Sequence, residues 1–298
     1  MTIGRLTKPV FLVGCMRSGT TLLASILGMH DHLVHCPFEL KDIWSQIGGV
    51  PMASPKTRDR TCPCLNERDV QPGQAERLTA AFVERMKQND KNKSENAYFL
   101  SKNPHLCNKL PLVNSLFPDA RYIWIYRDMP RVVASLKVKL KFHYWPEKTT
   151  QDEYRCWEYF ANKKIPNDID VNRYFPNGNV RYLAEYWIEN NKAISEFRQR
   201  IEDDRMICIK EEELIKNPNR VVKNILRFLQ LPTKLSGKIE TLNHSRNSLW
   251  KQRLNKKDFN DLLEVVMEYG SELNEIFPNK QDLHSLYNNE LVSQLKKH

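Results

Sequence analysis

Two short stretches place anion-holding residues directly after apolar runs. The first is Gly14-Cys15-Met16-Arg17-Ser18-Gly19-Thr20-Thr21, which follows Pro9-Val10-Phe11-Leu12-Val13. Its glycines are five apart and a threonine stands two after the second, the spacing of the phosphate-binding loop G-x-x-x-x-G-K-[ST]. Backbone N–H groups in such a turn, backed by the positive end of the following helix, form a cradle for an anion. One position departs from the pattern: Thr20 stands where the loop lysine should reach the β- and γ-phosphates, and Arg17 supplies a cation from inside the loop. A nucleoside triphosphate with Mg²⁺ fits this loop poorly, whereas a compact anion gripped by an arginine fits well. The second stretch is Tyr126-Arg127-Asp128-Met129-Pro130-Arg131-Val132-Val133-Ala134-Ser135. Arg127 leaves a strand-like run, and Ser135, eight residues on, can add a hydroxyl to the same anion. Ligands of open α/β sheets bind at the carboxyl ends of the strands. Two anion sites there suggest a nucleotide with phosphates at both ends.

The elements that must position these residues alternate. Residues 9–14 read as a continuously apolar strand of the kind buried on both faces of a parallel sheet. Leu22, Leu23, Ile26 and Leu27 then repeat at helical spacing, with Thr20 or Thr21 able to cap the helix. Tyr98-Phe99-Leu100 predicts a strand ending at Ser101-Lys102-Asn103-Pro104, residues 121–126 the clearest strand, and Met206-Ile207-Cys208-Ile209 another. Helices are predicted over 76–88, 108–116, from Pro130, over 180–200 and over 221–229. This order implies an α/β fold with a central parallel sheet flanked by helices, resembling P-loop proteins, with right-handed crossovers. No linker splits the chain, so residues 1–298 read as one domain. The stretches 48–75 and 141–178 lack periodicity and read as insertions that wall an acceptor site, because variable loops at strand ends carry specificity. The second holds many aromatics, including Phe142, Tyr144, Trp145, Trp157 and Tyr159, which suit an organic small molecule.

Composition bounds the class. Of 298 residues, 41% are hydrophobic and 28% charged, an ordinary globular mix that excludes a disordered chain or a coiled coil. Lys and Arg number 46 against 36 Asp and Glu; the resulting +10 suits an anionic partner without choosing its kind. Basic residues are spread rather than bunched, and no nucleic-acid-binding signature is present. No apolar run approaches the ~20 residues of a membrane helix, and the apolar stretch near the N terminus is too short for a secretory signal. A cytoplasmic protein is expected. Seven cysteines without framework spacing agree with a reducing compartment. Cys62-Pro63-Cys64 lacks a second ligand pair at zinc spacing and reads as two free thiols in a loop.

Taken together, Arg17-Ser18-Gly19-Thr20-Thr21 after the first strand, Lys102-Asn103-Pro104 after a middle one, and Arg127-Asp128-x-Pro130-Arg131-x-Val133-x-Ser135 after a later one resemble the sulfotransferases. Those enzymes use 3′-phosphoadenosine 5′-phosphosulfate (PAPS), and the likeness is to the bacterial and tyrosylprotein branches. Glu212-Glu213-Leu214 before Asn217-Pro218, then Phe228-Leu229-Gln230-Leu231-Pro232, is similar to a later segment of that family. The resemblance spans about residues 9–40, 98–140 and 180–254.

The resemblance implies roles. Arg17, Ser18, Gly19, Thr20 and Thr21 would bind the 5′-phosphosulfate; Arg127 and Ser135 would bind the 3′-phosphate. Lys102, with Arg17, would stabilise charge on the transferring group, as preorganised cations do in phosphoryl transfer. Glu39 lies about where these branches place the base that takes the acceptor's proton, with His32 and His35 as runners-up. Ser248 loosely matches a segment that closes over the nucleotide, and Glu211 stands where the family has an aromatic. The implied reaction moves a sulfuryl group to a hydroxyl or amine of a small molecule, such as a secondary metabolite, leaving 3′,5′-ADP and needing no metal. A carbohydrate or tyrosyl-peptide acceptor is the alternative. A degenerate P-loop kinase would need the missing lysine, with Asp128 for Mg²⁺, and a nucleic-acid binder is the non-catalytic rival.

Overall fold

Val10-Phe11-Leu12-Val13 offers no polar side chain to either face, and in the computed structural model it forms β1 (Val10–Val13), the middle strand of a five-stranded sheet. The structure describes residues 6, 8–52, 64–89, 97–143, 180–240, 242, 248–277 and 283–297. β1 pairs with β3 (Tyr98–Lys102) on one side and β4 (Arg121–Tyr126) on the other, while β2 (Leu33–Cys36) and β5 (Met206–Lys210) form the edges. All four pairings are parallel, so every strand ends at the same edge. The expected α/β architecture, a central parallel sheet with flanking helices, is the one observed. β2 is an addition: Leu33-Val34-His35-Cys36 is too short and mixed to signal a strand alone, and its pairing with β3 makes it one.

Alternation of side chains along a strand assigns the faces. Leu12, in register with Lys102 and Ile123, faces α1 (Thr20–Leu27) and α7 (Pro218–Phe228). There Leu23, Ala24, Leu27, Val222, Ile225 and Leu226 bury against Val10, Leu100, Ile123 and Ile125. The opposite face is aromatic. Phe11 stacks on Tyr122 with centroids 6.0 Å apart, and Phe82 of α2 (Gln74–Asn89) stacks on Phe99 at 4.5 Å and meets Trp44 edge-on at 5.3 Å. Rings in these offset and edge-to-face arrangements add to the area they bury. α3 (Leu110–Leu116) follows the turn at Pro104–Leu106, and α6 (Glu211–Lys216) follows β5 directly.

The chain divides into two compact units. The first lies within residues 1–52, 63–126 and 197–243 and contains the sheet. The second draws on 127–196 and 244–298 and contains α4 (Met129–His143), most of α5 (Val180–Arg198), α8 (Trp250–Arg253), α9 (Lys256–Glu268), α10 (Gly270–Ile276) and α11 (Leu283–Leu295). Its core gathers Trp187 with Phe277 and Tyr287, and Lys137 pairs at 2.6 Å with Asp258, the residue that closes the α9 capping box with Asn255. Of the two expected insertions, residues 53–63 and 144–178 lie outside the described residues.

Candidate active site

The loop after β1 owes its shape to two glycines. Gly14 has φ +148, and a Cβ there would stand 2.1 Å from the Ile125 carbonyl oxygen, so only a glycine lets β1 pass β4 so closely. Gly19, at φ +91, is the N-cap of α1. A glycine cap has no side chain to satisfy the first N–H groups of the helix, and no side-chain cap is present. This corrects the expectation that Thr20 or Thr21 caps α1: both lie inside the first turn, because the left-handed glycine has already turned the chain. Arg17 is itself left-handed, at φ 71, and exposed. Ser18 is fully buried; its amide donates to the Cys15 carbonyl at 3.1 Å, while its Oγ has no hydrogen-bond partner among the described residues. A buried hydroxyl without a partner is costly, and together with an uncapped helix start it suits an anion between them.

β2 and β3 end beside each other and present a charged pair. Lys102, the last residue of β3, has its side chain only 6% exposed and places Nζ 2.5 Å from Oε1 of Glu39, just beyond β2. The carboxylate satisfies an ammonium that would otherwise be buried alone. Asn103 supports the pair: its Nδ2 donates to the Glu39 carbonyl at 2.8 Å. Phe38 and Leu40, flanking Glu39, are both left-handed at φ 63 and 50. Phe38 is 80% exposed beside the carboxylate. One turn on, Asp42 accepts from Arg85 of α2 at 2.7 Å; burial pushes its carboxyl up, but the Arg85 hydrogen bond and charge outweigh that and hold it below the usual range.

The other sequence candidates lie along β2 or in the second unit. His32 precedes β2 at its amino end, where its carbonyl accepts from Tyr98, and His35 sits within β2 against Gly28. Arg127 opens the second unit directly after β4, with its carbonyl bonded by Trp187 Nε1 at 2.8 Å. Asp128 pairs with Arg131 at 3.3 Å, Ser135 is buried in α4, and Ser248 is exposed ahead of α8. Cys64 is exposed, while Cys62 lies outside the described residues. Among the described residues no cluster of His, Cys, Asp or Glu is placed to hold a metal ion, and no helix is long and apolar enough to cross a membrane. Two site neighbours carry no assigned role in the sequence. Asn103 was visible only as part of Lys-Asn-Pro, and Glu211, 5% exposed at the start of α6, lies with its Cγ 3.0 Å from where a Cβ of Gly19 would be.

The profile of the sulfotransferase family matches residues 9–234. Among solved structures, the sulfotransferase domain of the curacin biosynthetic pathway superposes with a TM-score of 0.51 at 15% identity, covering 97% of this chain and 99% of that one. The sulfotransferase domain of the Synechococcus PCC 7002 olefin synthase gives 0.46 at 15% identity, over 97% and 96% of the two chains. Sulfotransferase STF9 from Mycobacterium avium gives 0.48 at 15% identity, over 89% and 76%. No protein of curated function matches by sequence.

Proposed function

Because the chain belongs to the sulfotransferase family, we propose that it moves a sulfuryl group from PAPS to a hydroxyl or amine of a small apolar acceptor. The observation that carries this reading is the Glu39–Lys102 pair at 2.5 Å, a base and a cation at adjacent strand ends on the edge that also bears the anion loop. Bound PAPS supplies an activated sulfuryl group whose bond to the phosphate oxygen is the one that breaks.

The residues of this chain do the rest. The loop from Gly14 to Thr21 holds the 5′ end with backbone N–H groups, the Ser18 hydroxyl and Arg17, and the start of α1 adds its positive end. Arg127 and Ser135 hold the 3′-phosphate, with Ser248 over the nucleotide. Lys102 turns from Glu39 to the oxygen on which negative charge develops, the kind of preorganised contact that dominates such transfers. Glu39, so released, accepts the acceptor's proton as its oxygen or nitrogen bonds to sulfur. Exposed Phe38 beside Glu39 supports an apolar acceptor. The test is turnover of PAPS with 2-naphthol as a probe phenol: Glu39→Gln should lose it by about 10²–10⁴-fold while still binding 3′,5′-ADP. Unchanged turnover in Glu39→Gln would return the base to His32 or His35.

A further inference from the structure

We propose that Asn103 is a positioning residue for Glu39, an inference that rests on Glu39 being the base. Asn103 is fully buried and joins three segments. Its amide donates to the Leu12 carbonyl of β1 at 3.1 Å. Its side-chain Oδ1 accepts from the His105 amide at 2.8 Å, closing the turn after β3. Its Nδ2 donates to the Glu39 carbonyl at 2.8 Å, across 64 residues of chain, and approaches Met52 Sδ at 3.7 Å.

The loop it reaches needs such a hold. Glu39 stands between two left-handed residues, Phe38 and Leu40, a conformation that residues with a Cβ resist. Backbone of this kind persists only where its surroundings over-determine it, and it collects at functional sites. Phe38, with its side chain in solvent, contributes little hold; Leu40 is buried and anchors one side. The bond from Asn103 fixes the Glu39 carbonyl between them, and with it the direction in which the Glu39 side chain leaves toward Lys102. The side chain must donate to one carbonyl and accept from one amide at once, from a short stem. Asparagine does both. Aspartate keeps the acceptor and the size but lacks the donor, and alanine has neither.

Asn103→Asp and Asn103→Ala, made in the full chain, test this with three readouts. These are the ammonium ¹H–¹⁵N resonance of Lys102, which its ion pair shields from exchange with water, the affinity for 3′,5′-ADP by calorimetry, and turnover of PAPS with 2-naphthol. Both variants should lose the Lys102 resonance and about 10²-fold in turnover, as a misplaced catalytic group does, while 3′,5′-ADP affinity stays within about threefold. Alanine serves as the control for added charge, and decides the matter alone if the aspartate variant does not fold. A retained Lys102 resonance with full turnover would overturn the proposal. So would a loss of 3′,5′-ADP affinity parallel to the loss of turnover, since Asn103 would then support the whole edge rather than Glu39. If the wild type bound no 3′,5′-ADP yet the variants lost the resonance, the donor reading would fail and the clamp would stand.

Discussion

Replacing Gly14 by alanine puts a number on how closely β1 and β4 meet beneath the anion loop. The new Cβ would lie 2.1 Å from the Ile125 oxygen and 3.2 Å from its carbonyl carbon. A carbon and an oxygen need about 3.3 Å even in the closest favourable contacts, so the strands must part by roughly 1 Å where both are fully buried. Each ladder hydrogen bond so stretched forfeits about 1 kcal/mol, and the φ of +148 adds about 1–2 kcal/mol for a residue with a Cβ. With the packing lost behind Ile125, the total comes to about 3–5 kcal/mol. Gly49 is the internal control. Its φ is +64 but, its chain neighbours aside, no atom of the described residues lies within 4 Å of its notional Cβ, so Gly49→Ala meets the backbone penalty alone, about 1 kcal/mol. Urea unfolding of the two variants, compared at equal m-value, measures the difference. A Gly14→Ala loss within about 0.5 kcal/mol of the Gly49→Ala loss would refute the close-approach reasoning.

Other outcomes follow from the same geometry. Phe38→Gly should raise stability by about 0.5–1 kcal/mol, because the residue is left-handed at φ 63 and buries little on folding; thermal unfolding would show a drop instead if the ring packs against the protein. Asp42, whose carboxyl is held below its usual range, contributes stability that is present above the unfolded carboxylate value of about 4 and is lost as pH falls through the lower folded value. Arg85→Ala should therefore cost about 0.2–1 kcal/mol at pH 7, the screened worth of a half-exposed pair, and progressively less as pH falls through that lower folded value; a loss unchanged with pH would assign it to packing. Burial pushes the Cys36 thiol up to about 11, so Cys36→Ser should leave the rapid phase of thiol labelling at pH 8 unaltered.

How much of this was legible in the sequence depends on whether the information was local. β1 announces itself as a run of apolar residues and β4 as aromatic and β-branched ones from Tyr122 to Tyr126, types that a strand buried on both faces favours. The anion loop is likewise local: two glycines at fixed spacing, one demanded by close approach and one by the helix start. β2 was not legible, since four residues with a histidine among them become a strand only when Tyr98–Lys102 pairs with them. The threonines suit a cap by their type, whereas the cap is set by the φ of Gly19. Glu39 and Lys102 could be named by resemblance, but their pairing, and the hold of Asn103 on the Glu39 carbonyl, join positions more than 60 residues apart that no local pattern connects. Phe259, Leu262, Val265 and Val266 of α9 do carry helical spacing, a local signal for that helix.

The most direct test of the central claim is the shift in melting temperature with millimolar 3′,5′-ADP, set against 5′-AMP and against ATP with Mg²⁺. A ligand that binds only the folded chain stabilises it by mass action, by about 2.7 kcal/mol at a hundred times its Kd. A PAPS-dependent sulfotransferase predicts a clear shift with 3′,5′-ADP, a smaller one with 5′-AMP, and the 3′,5′-ADP shift lost in Arg17→Ala and Arg127→Ala. A shift with ATP and Mg²⁺ alone, or none with any nucleotide, would contradict it.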